Sequence, residues 1–322
     1  MTKTPSARPL GDLLRDPDAR IPDSALRQFS DIDPAELKAI LPAWQAMDAD
    51  RRRETLSRMA ALYEADTRLA FEDLARALLT DPDPFVRLNA VRLLSESEEA
   101  NDAARLIAIL DHDPDLEPRL QAAEALGFVV QLGELEDLDS QVLERAVQSL
   151  LKTMDGDAPA ALRRAALESL GYSSRPEAGE LIRRYLAHHD PQWVESALSA
   201  AARSGEDQWD DQVLEMITSP EDNVRLAAVE AAGTLNIAEA RPLLLKLLED
   251  EPAPDVYMAA IWSLSQIGGE DVEVTLESLL DGTEDDDLAG FIEEALENLT
   301  FTEDIEDFSI LALDPEDEPE DE

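Results

Sequence analysis

The sequence predicts an all-α fold, a solenoid of helical hairpins stacked in chain order, and composition, internal repetition and turn chemistry carry that prediction. The 322 residues are rich in Leu, Ala and Glu, include only 12 Gly, and hold few runs of β-branched or aromatic residues. Such a chain favours helices joined by short turns over strands.

Repetition organises the chain. Segments beginning at Asp81, Asp113, Asp157, Asp190, Ser219, Pro252 and Glu284 align on one register residue, namely Val86, Pro118, Leu162, Val194, Val224, Val256 and Leu288. The spacings are 32, 44, 32, 30, 32 and 32 residues. A fixed period of this length is the signature of stacked supersecondary units. Each period holds two apolar helical stretches around a turn rich in Asp and Pro, which reads as one hairpin. The long spacing places an excess of about 12 residues between Gln131 and Val142, read as an insertion into an inter-helix loop.

Turn chemistry agrees. Asp33-Pro34, Asp190-Pro191 and Ser219-Pro220 each put a capping side chain before a proline suited to a first helical turn. Gly127, Gly171 and Gly233 are placed as C-terminal caps of second helices.

The repeated block, an Asp- and Pro-rich turn followed by Val-Arg-x-x-Ala-x-x-Ala-Leu-Gly, resembles the HEAT repeat, particularly the short bacterial form also found in bilin-lyase-like proteins. The resemblance covers roughly residues 81–300. It implies an α-solenoid of about seven HEAT-like hairpins plus an N-terminal helical cap, and a scaffold's duties with no cofactor. Glu195, Tyr257 and Ala289 stand where earlier repeats carry arginine, so inter-repeat contacts are expected to differ there.

Four regions follow from this reading. Residues 1–30, with mixed charge and several prolines, are expected to be extended and partly disordered. Residues 31–80 read as a divergent helical cap, because a bare end repeat exposes an apolar face. Residues 81–300 form the repeat array, and 301–322 an acidic tail. Phe301, Ile305, Phe308, Ile310, Leu311 and Leu313 of that tail suit either docking on the last repeat or a linear motif for another protein.

Charge bounds the partners. The 27 basic against 73 acidic side chains give a net charge of −46, and the first 60 residues are neutral, with 10 of each sign. From residue 247 onward there are 27 acids and no Lys or Arg. Such a field repels phosphate backbones and anionic lipid and hastens encounter with cationic proteins. The expected partner is a protein with a basic surface or tail, with neither nucleic acid nor membrane. Without cysteine, every thiolate-dependent site is excluded. The N-terminal stretch lacks the apolar core of a secretory signal, which makes a cytoplasmic location the expectation.

No set of residues points to catalysis, so the chain is expected not to be an enzyme. His112, His188 and His189 sit at turns without the His-Glu pairing of metal-binding helices, and Asp285-Asp286-Asp287 lacks the spacing and glycine of a calcium loop. No metal or cofactor is expected. Arg87, Arg119, Arg163 and Arg225 each follow an Asp-rich turn, which favours a ladder of Asp–Arg pairs between successive repeats over phosphate binding. Candidate partner-binding residues are Tyr257, Trp262 and Phe291, with the acids Asp285, Asp286, Asp287, Glu293 and Glu294, and Phe308 of the tail. For the aromatics, inter-repeat core is the favoured reading over partner binding, since large rings mostly bury their area within folds.

The favoured function is a non-catalytic scaffold that binds a basic protein through its acidic surface. Two alternatives stand beside it: an enzyme or enzyme subunit of bilin-lyase-like type acting on a pigment or small molecule, and a salt-adapted scaffold whose acidity implies no specific partner. The neutral first 60 residues count against the last, because a global adaptation would be spread evenly.

Overall fold

The structure, a computed structural model, describes residues 8–312 apart from Thr67. Among the described residues there are 18 α-helices and no strand. The chain divides into two compact units, Met1–Ser173 and Ser174–Glu322. The first holds α1 (Leu10–Arg15), α2 (Asp23–Leu26), α3 (Pro34–Gln45), α4 (Ala49–Ala65), α5 (Glu72–Leu78), α6 (Pro84–Arg92), α7 (Ala100–His112), α8 (Leu116–Glu134), α9 (Ser140–Asp155) and α10 (Ala160–Leu170). The second holds α11 (Pro176–Leu186), α12 (Pro191–Ser204), α13 (Asp210–Met216), α14 (Asp222–Thr234), α15 (Arg241–Asp250), α16 (Pro254–Ile267), α17 (Glu270–Gly282) and α18 (Asp286–Ala312).

In each unit, consecutive helices pair as hairpins, α5 with α6 and α7 with α8 in the first, α13 with α14 and α15 with α16 in the second. The second helices then stack on one another: α4, α6, α8 and α10 in series, and likewise α12, α14, α16 and α18. Each register residue of the repeat falls near the start of one of these second helices, and Val86, Leu162, Val224 and Val256 are buried there. Two short amphipathic helices cannot cover their own apolar stripes, so the burial that holds a hairpin together is supplied by its neighbours.

Two kinds of contact set the spacing of the second helices. Ser169 Oγ on α10 donates to Ala123 O on α8 at 2.8 Å, and Ser263 Oγ on α16 donates to Val229 O on α14 at 2.8 Å. Four residues beyond each of those carbonyls stands a glycine. A Cβ added at Gly127 would lie 3.1 Å from Ser169 Oγ, and one at Gly233 would lie 2.8 Å from Ser263 Cα. Gly127 and Gly233 therefore sit inside their helices at close crossings and are not the C-terminal caps that the sequence suggests. The C-caps are Leu135 and Leu235, each followed by a residue at positive φ, Glu136 and Asn236, past which Asp137 N donates to Leu132 O and Ile237 N to Ala232 O at 2.9 Å each. Gly171 does cap α10.

Other expectations are revised by the same geometry. The excess between Gln131 and Val142 does not form a loop: it lengthens α8 to 19 residues and α9 to 16, with only residues 135–139 between them. Asp33 and Asp190 cap their helices through side-chain bonds as expected, but α14 starts beyond Ser219, whose hydroxyl accepts from Glu221 N at 3.3 Å. Within residues 1–30, where an extended chain is expected, α1 and α2 are helical and bury Leu10, Leu13, Leu14 and Leu26, with Phe29 edge-on to Trp44. Helices of six and four residues do not persist on propensity alone. Packing against α3 and α4 and the Arg51 guanidinium, bonded to Leu13 O and Ala19 O, hold them. At the other end the backbone continues as α18 to Ala312, so the expected tail begins as helix, and residues 313–322 lie outside the described residues.

Gly233→Ala is expected to destabilise the protein by about 1–3 kcal/mol, because the added methyl meets the backbone of α16. Gly179→Ala on α11, where a Cβ meets nothing within 4 Å, is expected to stabilise by about 0.5–1 kcal/mol. Urea denaturation of the two variants checks both signs.

Candidate functional site

The side chains suited to meeting a partner converge on the outward face of α14, α16 and α18. That face is built from the turn upward. Arg225, at the start of α14, donates through Nε and one terminal nitrogen to both carboxylate oxygens of Glu251 at 2.8 Å each, and through the other terminal nitrogen to Ser219 O at 2.7 Å. Glu251 lies in the turn that starts α16, and its Oε1 also accepts from Ala253 N at 3.0 Å. The guanidinium, first among several groups, holds the Glu251 carboxyl below the usual carboxylate range. One planar fork thus ties the turn of its own hairpin to the turn of the next.

With that turn fixed and the Gly233–Ser263 crossing closed, α14 and α16 run side by side. Leu226, Glu230 and Thr234, successive at four-residue steps on α14, then face Asp255, Met258, Trp262 and Gln266 on α16. Asn298 Nδ2 donates to Ser265 Oγ at 3.0 Å and seats α18, which brings Phe291 to the same place. The result is a groove of about 650 Å³. Its floor is apolar: Trp262 is 38% exposed, and its ring lies 6.1 Å from that of Phe291. Among the described residues, its only ionisable lining groups are the carboxylates of Glu230 and Asp255. Burial, and then the nearby charge of Glu195, push the Glu230 carboxyl above its usual value. Among the described residues, no hydrogen bond or ion pair engages Glu230 or Asp255.

The predicted partner-binding residues are distributed unevenly around this groove. Trp262 and Phe291 are brought together in its floor. Tyr257 is half-buried beside it, outside the lining, and burial raises its hydroxyl's pKa. Asp286, Asp287, Glu293 and Glu294 are exposed on α18. Asp285 has a structural task as well, because its Oδ1 accepts from Asp287 N at 3.0 Å and Leu288 N at 3.2 Å and so caps α18. Phe308 falls in the backbone span of α18, and its side chain lies outside the described residues.

Sequence reasoning missed Glu230, Leu226, Met258 and Gln266. The signal was present, since Glu230 and Trp262 each stand six residues after their register valines, Val224 and Val256. They occupy one repeat position on neighbouring second helices.

Each of the four repeat arginines bonds a main-chain carbonyl at a turn or helix end. Arg87 makes the expected ladder contact, donating to Asp113 at 2.7 and 2.8 Å, to Asp115 at 2.7 Å and to Asp81 O at 2.9 Å. Arg225 makes the equivalent contact to a glutamate. Arg119 donates to Leu110 O at 2.8 Å and Arg163 to Met154 O at 3.0 Å, each bonding the end of the first helix of its own hairpin. The ladder extends toward the N-terminus, where Arg53 pairs with Asp83 at 2.8 Å and Arg76 with the fully buried Asp102 at 2.8 Å. Among the described residues there is no cluster of His, Asp and Glu suited to a metal ion, and no helix is long and apolar enough to cross a membrane.

Comparison with known proteins agrees with this architecture. The family profile for HEAT repeats matches residues 37–127 and 210–299, more than half of the chain. The protein belongs to the HEAT-repeat family, and the first match begins inside the stretch read from sequence as a cap. No curated protein matches the chain. Among solved structures it is similar to the complex of CpcE and CpcF of phycocyanin lyase from Nostoc sp. PCC7120, with 22% identity over 71% of this chain and 94% of that one and a TM-score of 0.46. It is also similar to YIBA of Escherichia coli, with 16% identity over 88% and 98% and a TM-score of 0.45. A third similarity is to human deoxyhypusine hydroxylase in complex with glycerol, with 15% identity over 92% and 95% and a TM-score of 0.34. Likenesses at these levels carry no argument about partners or chemistry.

Arg87→Met leaves the Asp113 carboxylate, 2% exposed, without its counter-charge, and is expected to cost on the order of 3 kcal/mol in urea denaturation. Burial pushes the Asp113 carboxyl up, but donation from Arg87 and from the Asp115 amide outweighs it, so the group is held below its ordinary 3.8. The ion pair therefore stabilises the fold above that pH and loses its effect as pH falls through the lower folded value. The deficit of Asp113→Asn relative to the unsubstituted protein is expected at pH 7 and should narrow below pH 3.8. A deficit that stays constant with pH would assign the loss to packing.

Proposed function

We propose that this protein is a non-catalytic scaffold whose acidic second-helix face receives a protein with a basic surface or tail. The observation that carries the reading is the charge of the C-terminal repeats: 27 acids and no Lys or Arg from residue 247 onward. Asp285, Asp286, Asp287, Glu293 and Glu294 are exposed there. Arg225 supports the same reading, since it is committed to Glu251 and Asp222 in holding the frame. Its cation is thereby unavailable to neutralise the surface, and the outward field stays negative for an incoming cationic partner.

The test is capture from native lysate by the full chain and by a variant carrying D286N, D287N, E293Q and E294Q, each at low salt and at about 1 M salt, where the Debye length is about 3 Å. Proteins with basic surfaces should be retained by the full chain at low salt, retained less by the variant, and released at high salt. A captured set indifferent to both salt and neutralisation, or the lack of any, would sink the reading.

A further inference from the structure

We infer that the groove between α14, α16 and α18 seats a single arginine side chain of a partner segment, with Glu230 and Asp255 facing its guanidinium and Trp262 and Phe291 bedding its stem. This rests on the proposal that the acidic face binds a basic protein, and it names the point of that face where recognition is specific.

Three observations converge on this occupant. The first is shape and polarity: the groove holds about 650 Å³, with an apolar floor and, among the described residues, two carboxylates as its only charged lining groups. An aliphatic partner would leave those carboxylates desolvated without return, and an anionic one would be repelled. A side chain that is apolar along its stem and cationic at its tip satisfies both parts.

The second is the state of the carboxylates. Two neighbouring acids are matched, Glu251 by Arg225 and Glu195 by Asn223, whose Nδ2 donates to it at 2.7 Å. Glu230 and Asp255 have no such match among the described residues. Burial and the charge of Glu195 already disfavour the ionised form of Glu230, and an arriving cation relieves that cost.

The third is the aromatic wall. Trp44, Trp193 and Trp209 are buried, whereas Trp262 is 38% exposed, with its ring turned 42° to that of Phe291. An indole beside carboxylates is the arrangement in which a planar guanidinium gains stacking and bidentate bonding together, which an ammonium gains less well.

The probe is a capped synthetic helical peptide with one arginine and leucines at i+3 and i+4, compared with versions carrying citrulline or lysine at the arginine position. Binding to the full chain is followed by tryptophan fluorescence, because Trp262 is the exposed indole, and by calorimetry. The arginine peptide should bind saturably. Citrulline, the neutral isostere, should weaken binding about tenfold, and lysine less, as expected for a partly desolvated charge pair. E230Q should lose about tenfold toward the arginine peptide and nothing toward the citrulline one, and W262A should weaken binding of both. Circular dichroism establishes that each variant is folded. Equal binding of citrulline and arginine peptides would make this an apolar groove and overturn the assignment, as would no saturable binding at all. If E230Q and W262A leave peptide binding unchanged while the quadruple neutralised variant loses its basic partners, the groove is wrong and the acidic-face reading stands. If that variant loses nothing either, both fall.

Discussion

A hairpin of two short helices carries more apolar surface than its own two halves can cover, and the structure depends on how closely the next hairpin approaches. The distance is set by main chain against main chain. At α8–α10 and again at α14–α16, a glycine removes the side chain that would hold the helices apart, and a serine from the neighbour returns a hydrogen bond to the carbonyl one turn earlier. Larger residues at these positions would tilt one helix off the other, and every outward side chain on the face would shift with it. A functional surface on the second helices therefore inherits its precision from buried small residues that no partner touches.

Charge placement follows from the same stacking. Turns between helices leave orphan carbonyls, and a hairpin that must register with its neighbour needs a group able to bond a carbonyl and a carboxylate at once. Arginine does this, and Arg87 and Arg225 do it in the same way in the two units, each bonding the turn of its own hairpin and an acid 26 residues further on. Where a basic side chain is committed to the frame, its charge is cancelled locally. Among the described residues, Asp286, Asp287, Glu293 and Glu294 on α18 have no such counterparts. The protein's negative field is in this sense a remainder, concentrated where the ladder ends.

Much of the fold was legible because hairpin stacking writes a period into the sequence. The register valines, the Asp-Pro caps and the aligned arginines each reported a real helix start or turn contact. What the sequence concealed were features whose meaning depends on the neighbour. Gly127 and Gly233 look like caps from within their own segment and become crossing points only when α10 and α16 are in place. The long spacing looks like a loop insertion, although extra helical turns on α8 and α9 keep the register equally well. The helices at residues 10–15 and 23–26 have too little intrinsic propensity to announce themselves and exist through contacts with α3 and α4.

The groove belongs to the same class. Read along the chain, Trp262 was ambiguous between core and surface and Glu230 was one acid among many. Their shared position six residues past the register valine makes them neighbours across a helix crossing, and the small residues at that crossing leave both exposed rather than interleaved. Repeat position adds to residue type in a solenoid: on α14, α16 and α18 the position six past the register residue is exposed, whereas Ala200, in the same column on α12, is buried. Over those three helices the column reads acid at 230, tryptophan at 262 and acid again at 294. It places an aromatic ring between carboxylates on adjoining second helices, which an evenly acidic surface would not require.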